Sequence, residues 1–141
     1  GFLWVELART LLALMARTSA VRATSEQKQA FADIATSFDR IAQTPELDLF
    51  MQFDKIMLNL LCEACHNEHI CRAISLLAGE HRRIGYIHFQ KHDDVAVFAR
   101  IRAEFSRALD RGDPEAAEAI VHQRMDYIES TLKGGTQTST R

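Results

Sequence analysis

Apolar residues recur at spacings of three and four along nearly the whole chain, the period of one face of an α-helix, and no apolar/polar alternation of convincing strand length occurs. The first helix is expected over residues 3–20, with Leu3, Leu7, Leu11 and Leu14 along one stripe. Thr24-Ser25-Glu26-Gln27 has the form of a capping box, a hydroxyl followed three residues later by Gln, and should open a second helix that runs to about residue 41. Thr44-Pro45 places an N-cap residue before a proline at the first helical position, so the third helix is expected to start there. Its face is Phe50, Phe53, Met57, Leu60, Leu61 and Ala64, and His66-Asn67 supplies a stop. A less regular helical stretch over residues 68–89 should be interrupted at Gly79 and Gly85. Asp93 or Asp94 opens the next helix and Gly112 closes it; Asp113-Pro114-Glu115 opens the last, which should end at Gly134-Gly135. The pattern predicts an all-α fold, an antiparallel bundle of six to seven helices over residues 1–133, with a disordered Thr/Ser/Gln tail over residues 134–141.

Composition adds bounds. With 141 residues, 47% of them hydrophobic and 26% charged, the chain suits one globular domain that needs no metal or disulfide staple. A formal net charge of −2 lacks the basic excess of a self-sufficient nucleic-acid binder. The longest apolar run, residues 11–16, is far too short to span a bilayer, and no signal-peptide pattern is present. Three cysteines, an odd number without an export signal, predict reduced thiols and a cytoplasmic protein. Gly1-Phe2-Leu3-Trp4 already belongs to a periodic apolar segment, so the chain is expected to begin inside an architecture, as a fragment would. A Gly-rich phosphate loop, a nucleophile elbow and a convincing catalytic pair are all missing from the sequence, so no enzyme is expected.

Three charges stand on apolar faces. Asp54 lies four residues from both Phe50 and Leu58; Arg102 lies between Phe98 and Phe105; Arg124 is flanked at helical spacing by Ile120, Val121, Tyr127 and Ile128. A lone buried charge costs several kcal/mol at least, so such groups persist only when paired. One aspartate and two arginines leave roughly one positive charge over, which an anionic ligand would complete through the planar arginine fork. Two other readings stand beside that one: an arginine can keep its head in water while its stem is buried, and the three can form a purely structural ion-pair network.

The order of several short segments resembles the FCD family, the C-terminal effector domains of FadR-type GntR transcription regulators. The helix from Glu6-Leu7 to Ala20 followed by Arg22-Ala23-Thr24 is similar to the family's first helix and its "RAT" turn. The run DKIMLNLLCEACHN from Asp54 to Asn67 resembles the family's D-x-x-F-H…E-A-x-G-N segment, and Ala108-Leu109-Asp110-Arg111-Gly112-Asp113 resembles the joint before its last helix. The resemblance covers the chain to about residue 132. It implies an effector-sensing module that acts as a homodimer, binds a small anionic effector (an organic acid, sugar acid or acyl-CoA), and reaches DNA only through an N-terminal winged helix-turn-helix domain, to which nothing here corresponds. Many family members hold a divalent metal through one aspartate and three histidines. Asp54 falls on the aspartate, whereas Leu58, Arg102 and Arg124 fall on the histidines. A metal cofactor is therefore not expected at this site, and ligand binding is assigned to Asp54, Leu58, Arg102 and Arg124.

Cys62-Glu63-Ala64-Cys65-His66 spells the attachment motif of c-type haem, and Cys62, Cys65 and His69 share a helix face that suits zinc. A metal- or haem-binding bundle built on Cys62, Cys65, His66 and His69 is thus the alternative function; against it, the cysteines read as small core residues and His66 as part of a helix end. His81, His88 and His92 lie among charged neighbours and suggest a solvated or pocket-rim face.

Overall fold

The computed structural model describes residues 2–91 and 94–139. It contains six helices and, among the described residues, no strand: α1 (Phe2–Arg22), α2 (Ser25–Gln43), α3 (Leu47–Cys65), α4 (Glu68–Lys91), α5 (Val95–Asp110) and α6 (Pro114–Ser139). Helix α1 packs along α6 and also meets α3, α4 and α5, while α2 lies against α5 and α3. The core between them is filled by Phe31, Phe38 and Ile41 of α2, Phe50 and Met57 of α3, Leu109 of α5 and Met125 of α6. Phe38 and Phe50 meet edge to face at 5.7 Å, a geometry that adds to their burial.

Local chemistry sets most boundaries. Thr24 accepts from the Gln27 amide at 3.2 Å while the Gln27 side chain accepts from the Thr24 amide at 2.9 Å, so the capping box forms in full. Arg22, just before it, donates to the Cys65 carbonyl at 3.0 Å and satisfies an orphan acceptor at the end of α3. His66 ends α3 in the left-handed conformation (φ 49°), and Asn67 Oδ1 accepts from the His69 and Ile70 amides to open α4. At the close of α5, Gly112 has φ +68°; its amide bonds to Leu109 and that of Asp113 to Ala108, the paired bonds of a Schellman cap. Asp113 then accepts from the Ala116 amide and Pro114 occupies the first turn of α6.

Several expected details differ. Leu3, Leu7 and Leu14 point outward, at 83%, 50% and 47% exposure; the buried face of α1 is Trp4, Val5, Ala8, Met15, Ala16, Ser19 and Ala20. Helix α1 is apolar nearly all round, so its leucine stripe does not mark the core side, and small residues face inward where neighbouring helices approach. Helix α3 begins at Leu47 rather than at Pro45, because Thr44 serves as the C-cap of α2 and donates to the Arg40 carbonyl. A residue before proline is steered away from helical angles, and Thr44 has φ −130° and ψ 79°. Gly79 and Gly85 do not interrupt α4, and α6 passes through Gly134-Gly135 to Ser139. Each such glycine costs only about 1 kcal/mol against alanine, too little to end a long helix. His92, Asp93 and residues 140–141 lie outside the described residues, and with them the last part of the expected tail.

The cysteines depart from the expectation of reduced thiols. Cys62 and Cys71 form a disulfide with Cα atoms 5.1 Å apart, and Cys65 keeps a free, buried thiol. The tight α3–α4 turn through His66 brings the end of one helix against the first turn of the next, within bridging reach. No helix among the described residues is long and apolar enough to cross a membrane.

Two measurements check this picture. A non-reducing peptide map should yield Cys62 and Cys71 in one linked species, with Cys65 alkylated only after unfolding. In urea titrations, Gly79→Ala should raise stability by about 0.5–1 kcal/mol, because an added Cβ meets open space in a helix. Gly112→Ala should lower it by about 1–2 kcal/mol, because its φ is positive.

Candidate functional site

The charged residues on apolar faces come together at one cavity. It opens among five helices: α1 contributes Trp4, Ala8, Leu12 and Met15; α3 contributes Asp54, Met57, Leu58 and Leu61; α4 contributes Ile74, Leu77 and Ala78; α5 contributes Arg102 and Phe105; α6 contributes Ile120, Val121 and Arg124. The space measures about 720 Å³ when its open mouth and the solvent in it are included. Asp54, Leu58, Arg102 and Arg124 are all part of its wall, with Asp54 and Leu58 one turn apart on α3.

Arg102 is buried, and its Nε donates to Asp54 Oδ1 at 2.6 Å across the α3–α5 contact. Its guanidinium also lies over the Phe50 ring, 5.9 Å from the centroid, where the ring face attracts a cation. The Ser106 hydroxyl, fully buried one turn on, donates to the Arg102 carbonyl at 2.9 Å and sits 3.4 Å from the Met57 sulfur. Arg102 is therefore held by an ion pair at its head and by packing around its stem.

Arg124 is equally buried, with Nη2 3.8 Å from the Met125 sulfur. Burial pushes its guanidinium down to about 9; the like charge of Arg102 lowers it further and Asp54 pulls it back up. It stays cationic at neutral pH in a place that disfavours its charge. The lining thus carries two guanidinium groups and one carboxylate against otherwise apolar walls. An arrangement of that kind can accept an anion: arginine offers five donors in a rigid fork, and the walls exclude the water that would weaken the bond.

The cysteine–histidine cluster does not assemble as a ligand set. The disulfide with Cys71 removes the Cys62 thiol on which the haem and zinc readings depend. The Cys65 thiol is 3.3 Å from the Cys62 carbonyl, and the His66 ring is 3.3 Å from the Gln27 side chain. Among the described residues no group of three or more His, Cys, Asp or Glu side chains is placed to hold a metal. His88 is not on a solvated face: its side chain is only 10% exposed, bonds Asp94 at 2.7 Å, and packs edge to face on Phe89, Phe98 and Tyr127. The side chains of His81 and His92 lie outside the described residues.

Most of the apolar lining, including Trp4, Leu12, Ile74 and Leu77, carries no sign in the sequence that separates it from core. The faint signal that exists is proximity to the charges: Met57, Leu58, Phe105, Ile120 and Val121 all lie within four residues of Asp54, Arg102 or Arg124.

A family model described as the FCD domain matches residues 5–127. No curated protein matches the chain.

The two arginines should behave oppositely when replaced by an apolar side chain of similar length. Arg102→Met strands the Asp54 carboxylate and should cost about 2 kcal/mol in urea unfolding, a lower value than for a fully buried pair because Asp54 is 22% exposed. Arg124→Met removes a desolvated charge opposed by Arg102 and should stabilise the unliganded protein by roughly 1–2 kcal/mol. Loss of stability in both variants would instead mark a structural ion-pair network.

Proposed function

Because the chain belongs to the FCD family, the effector-binding domains of GntR-type regulators, we propose that it is the sensory and dimerisation module of a FadR-branch transcription regulator and binds a small anionic metabolite in the five-helix cavity. The observation that carries the reading is the pair of buried guanidinium groups, beside the Asp54 carboxylate, at the wall of a space whose other described lining residues are apolar. FCD domains are regulatory rather than catalytic modules, and no enzymatic step is part of this reading.

In this reading the anion sits against Arg124 and the remaining donors of Arg102, and Asp54 holds Arg102 in place from the other side. Leu58, at the position where the metal-binding members have a histidine, contributes wall and no ligand atom. Signalling requires the ligand to prefer one arrangement of the helices over another. Helix α1 is the part suited to report it, since Trp4, Ala8, Leu12 and Met15 border the cavity while the same helix packs along α6. A shift of α1 would change the spacing of winged-helix domains joined to this module in a homodimer, and DNA would be reached only through those domains. The outward Leu3, Leu7, Leu14 and Val21 give α1 an apolar surface for such an assembly.

A thermal-shift screen of organic acids, sugar phosphates and acyl-CoAs tests the proposal. At a concentration 100-fold above Kd, a bound effector should raise Tm by roughly 8 °C. The rise should be lost in Arg102→Leu and Arg124→Leu, each compared with its own unliganded melting curve. An acid that stabilises the wild type and both variants equally would show that the arginines do not hold it.

A further inference from the structure

Resting on the reading of the cavity as the effector site, we infer that the effector is a monocarboxylate with an apolar body, an aliphatic or arylalkanoic acid, rather than a sugar acid, hydroxy acid or dicarboxylate. The lining divides sharply by chemistry. Asp54, Arg102 and Arg124 carry its charges, and the other described lining residues are all apolar, with the Trp4 indole N–H as their one polar side-chain group. Among the described residues no Ser, Thr, Asn, Gln or Tyr side chain faces the space.

That division selects against polyhydroxylated ligands. Each hydroxyl carried into the cavity would leave water for walls such as Leu12, Leu58, Leu77 and Ile120, which offer nothing to bond, and burying an unmatched hydroxyl is unfavourable. The backbone does little to make up the difference, because every described lining residue is on a helix and all but Trp4, in the first turn of α1, have their amides committed to the ladder. A second carboxylate fares worse. One of the three charged groups at the cavity is Asp54, which repels an anion and is already bonded to Arg102. An alkyl or aryl body has the reverse effect, since it removes both its own surface and that of Phe105 and Leu77 from water. Leu58 contributes doubly: a leucine one turn from Asp54 cannot ligate a metal, and it extends the apolar wall towards the charged end.

The experiment is an equilibrium titration followed by tryptophan fluorescence. Trp4 is the only tryptophan of the chain and lines the cavity, so its emission reports occupancy directly. The probes are butyrate, hexanoate, octanoate and phenylacetate, with gluconate, suberate and 1-octanol as comparisons. From butyrate to octanoate Kd should fall roughly fourfold per added methylene. Gluconate, suberate and 1-octanol should each bind at least tenfold more weakly than octanoate. Leu77→Gln should weaken octanoate at least tenfold while leaving butyrate within about threefold, and circular dichroism should show its helix content unchanged. If Leu77→Gln does not fold, the wild-type series decides alone.

Tighter binding of gluconate or suberate than of octanoate, abolished in Arg124→Leu, would overturn the ligand class and leave the effector-site reading standing. Equal binding of 1-octanol and octanoate would overturn the carboxylate's part in recognition. If no probe perturbs Trp4 and none shifts Tm, the effector-site reading itself falls and this inference falls with it.

Discussion

A guanidinium group inside a helical bundle is tolerated only where something offsets the water it has lost. Arg102 meets that condition from two directions at once: Asp54 at its Nε and the face of Phe50 over its head. The Arg102–Asp54 bond reaches across 48 residues of sequence and links α3 to α5, two helices that otherwise pack on each other only lightly. Met57 and Phe105 line the same space as the pair, and α1, α4 and α6 complete its walls.

Arg124 is the second guanidinium at the same wall. It is as buried as Arg102, its charge is disfavoured by that burial and by its neighbour, and it faces the same space. Stability by itself would favour a leucine or methionine at that position. In the proposed reading the bound anion offsets the cost of that burial, and the FCD membership of the chain gives the proposal a place in a regulatory domain.

Much of this was legible in the sequence because it is written in local chemistry. A capping box, a Schellman glycine and a proline at the start of α6 act within a turn or two, so Thr24, Gly112 and Pro114 announce their elements without knowledge of the partners. Charges on apolar faces are legible for a related reason: burial of Asp54, Arg102 or Arg124 demands compensation wherever the helices lie. Features decided by long-range packing were not legible. Helix α1 is apolar around most of its girth, so only the neighbours reveal that Ala8, Ala16 and Ala20 face inward and Leu3, Leu7 and Leu14 outward. The partner of Cys62 depends on the left-handed turn at His66, nine residues of chain folded back on themselves, and nothing in the spacing singles out Cys71 over Cys65. The apolar walls of the cavity are hidden for the plainest reason: a side chain facing a void and one facing a core have the same composition.

The bridge between Cys62 and Cys71 has a mechanical consequence. It lies beside Leu61 and one turn before Ile74, so the α3 and α4 walls of the cavity are clamped at a shared end and move as one plate. A second clasp, Arg102 on Asp54, couples α5 to that plate. Helix α1 is bonded to the same plate at its C-terminal end, by Ser19 on the Leu61 carbonyl and Arg22 on that of Cys65, and to α6 by surface ion pairs of Arg9 and Arg17. In the proposed reading, an occupant that swells the space would work against cross-ties between all five walls, so a strain at one helix would be felt by the others.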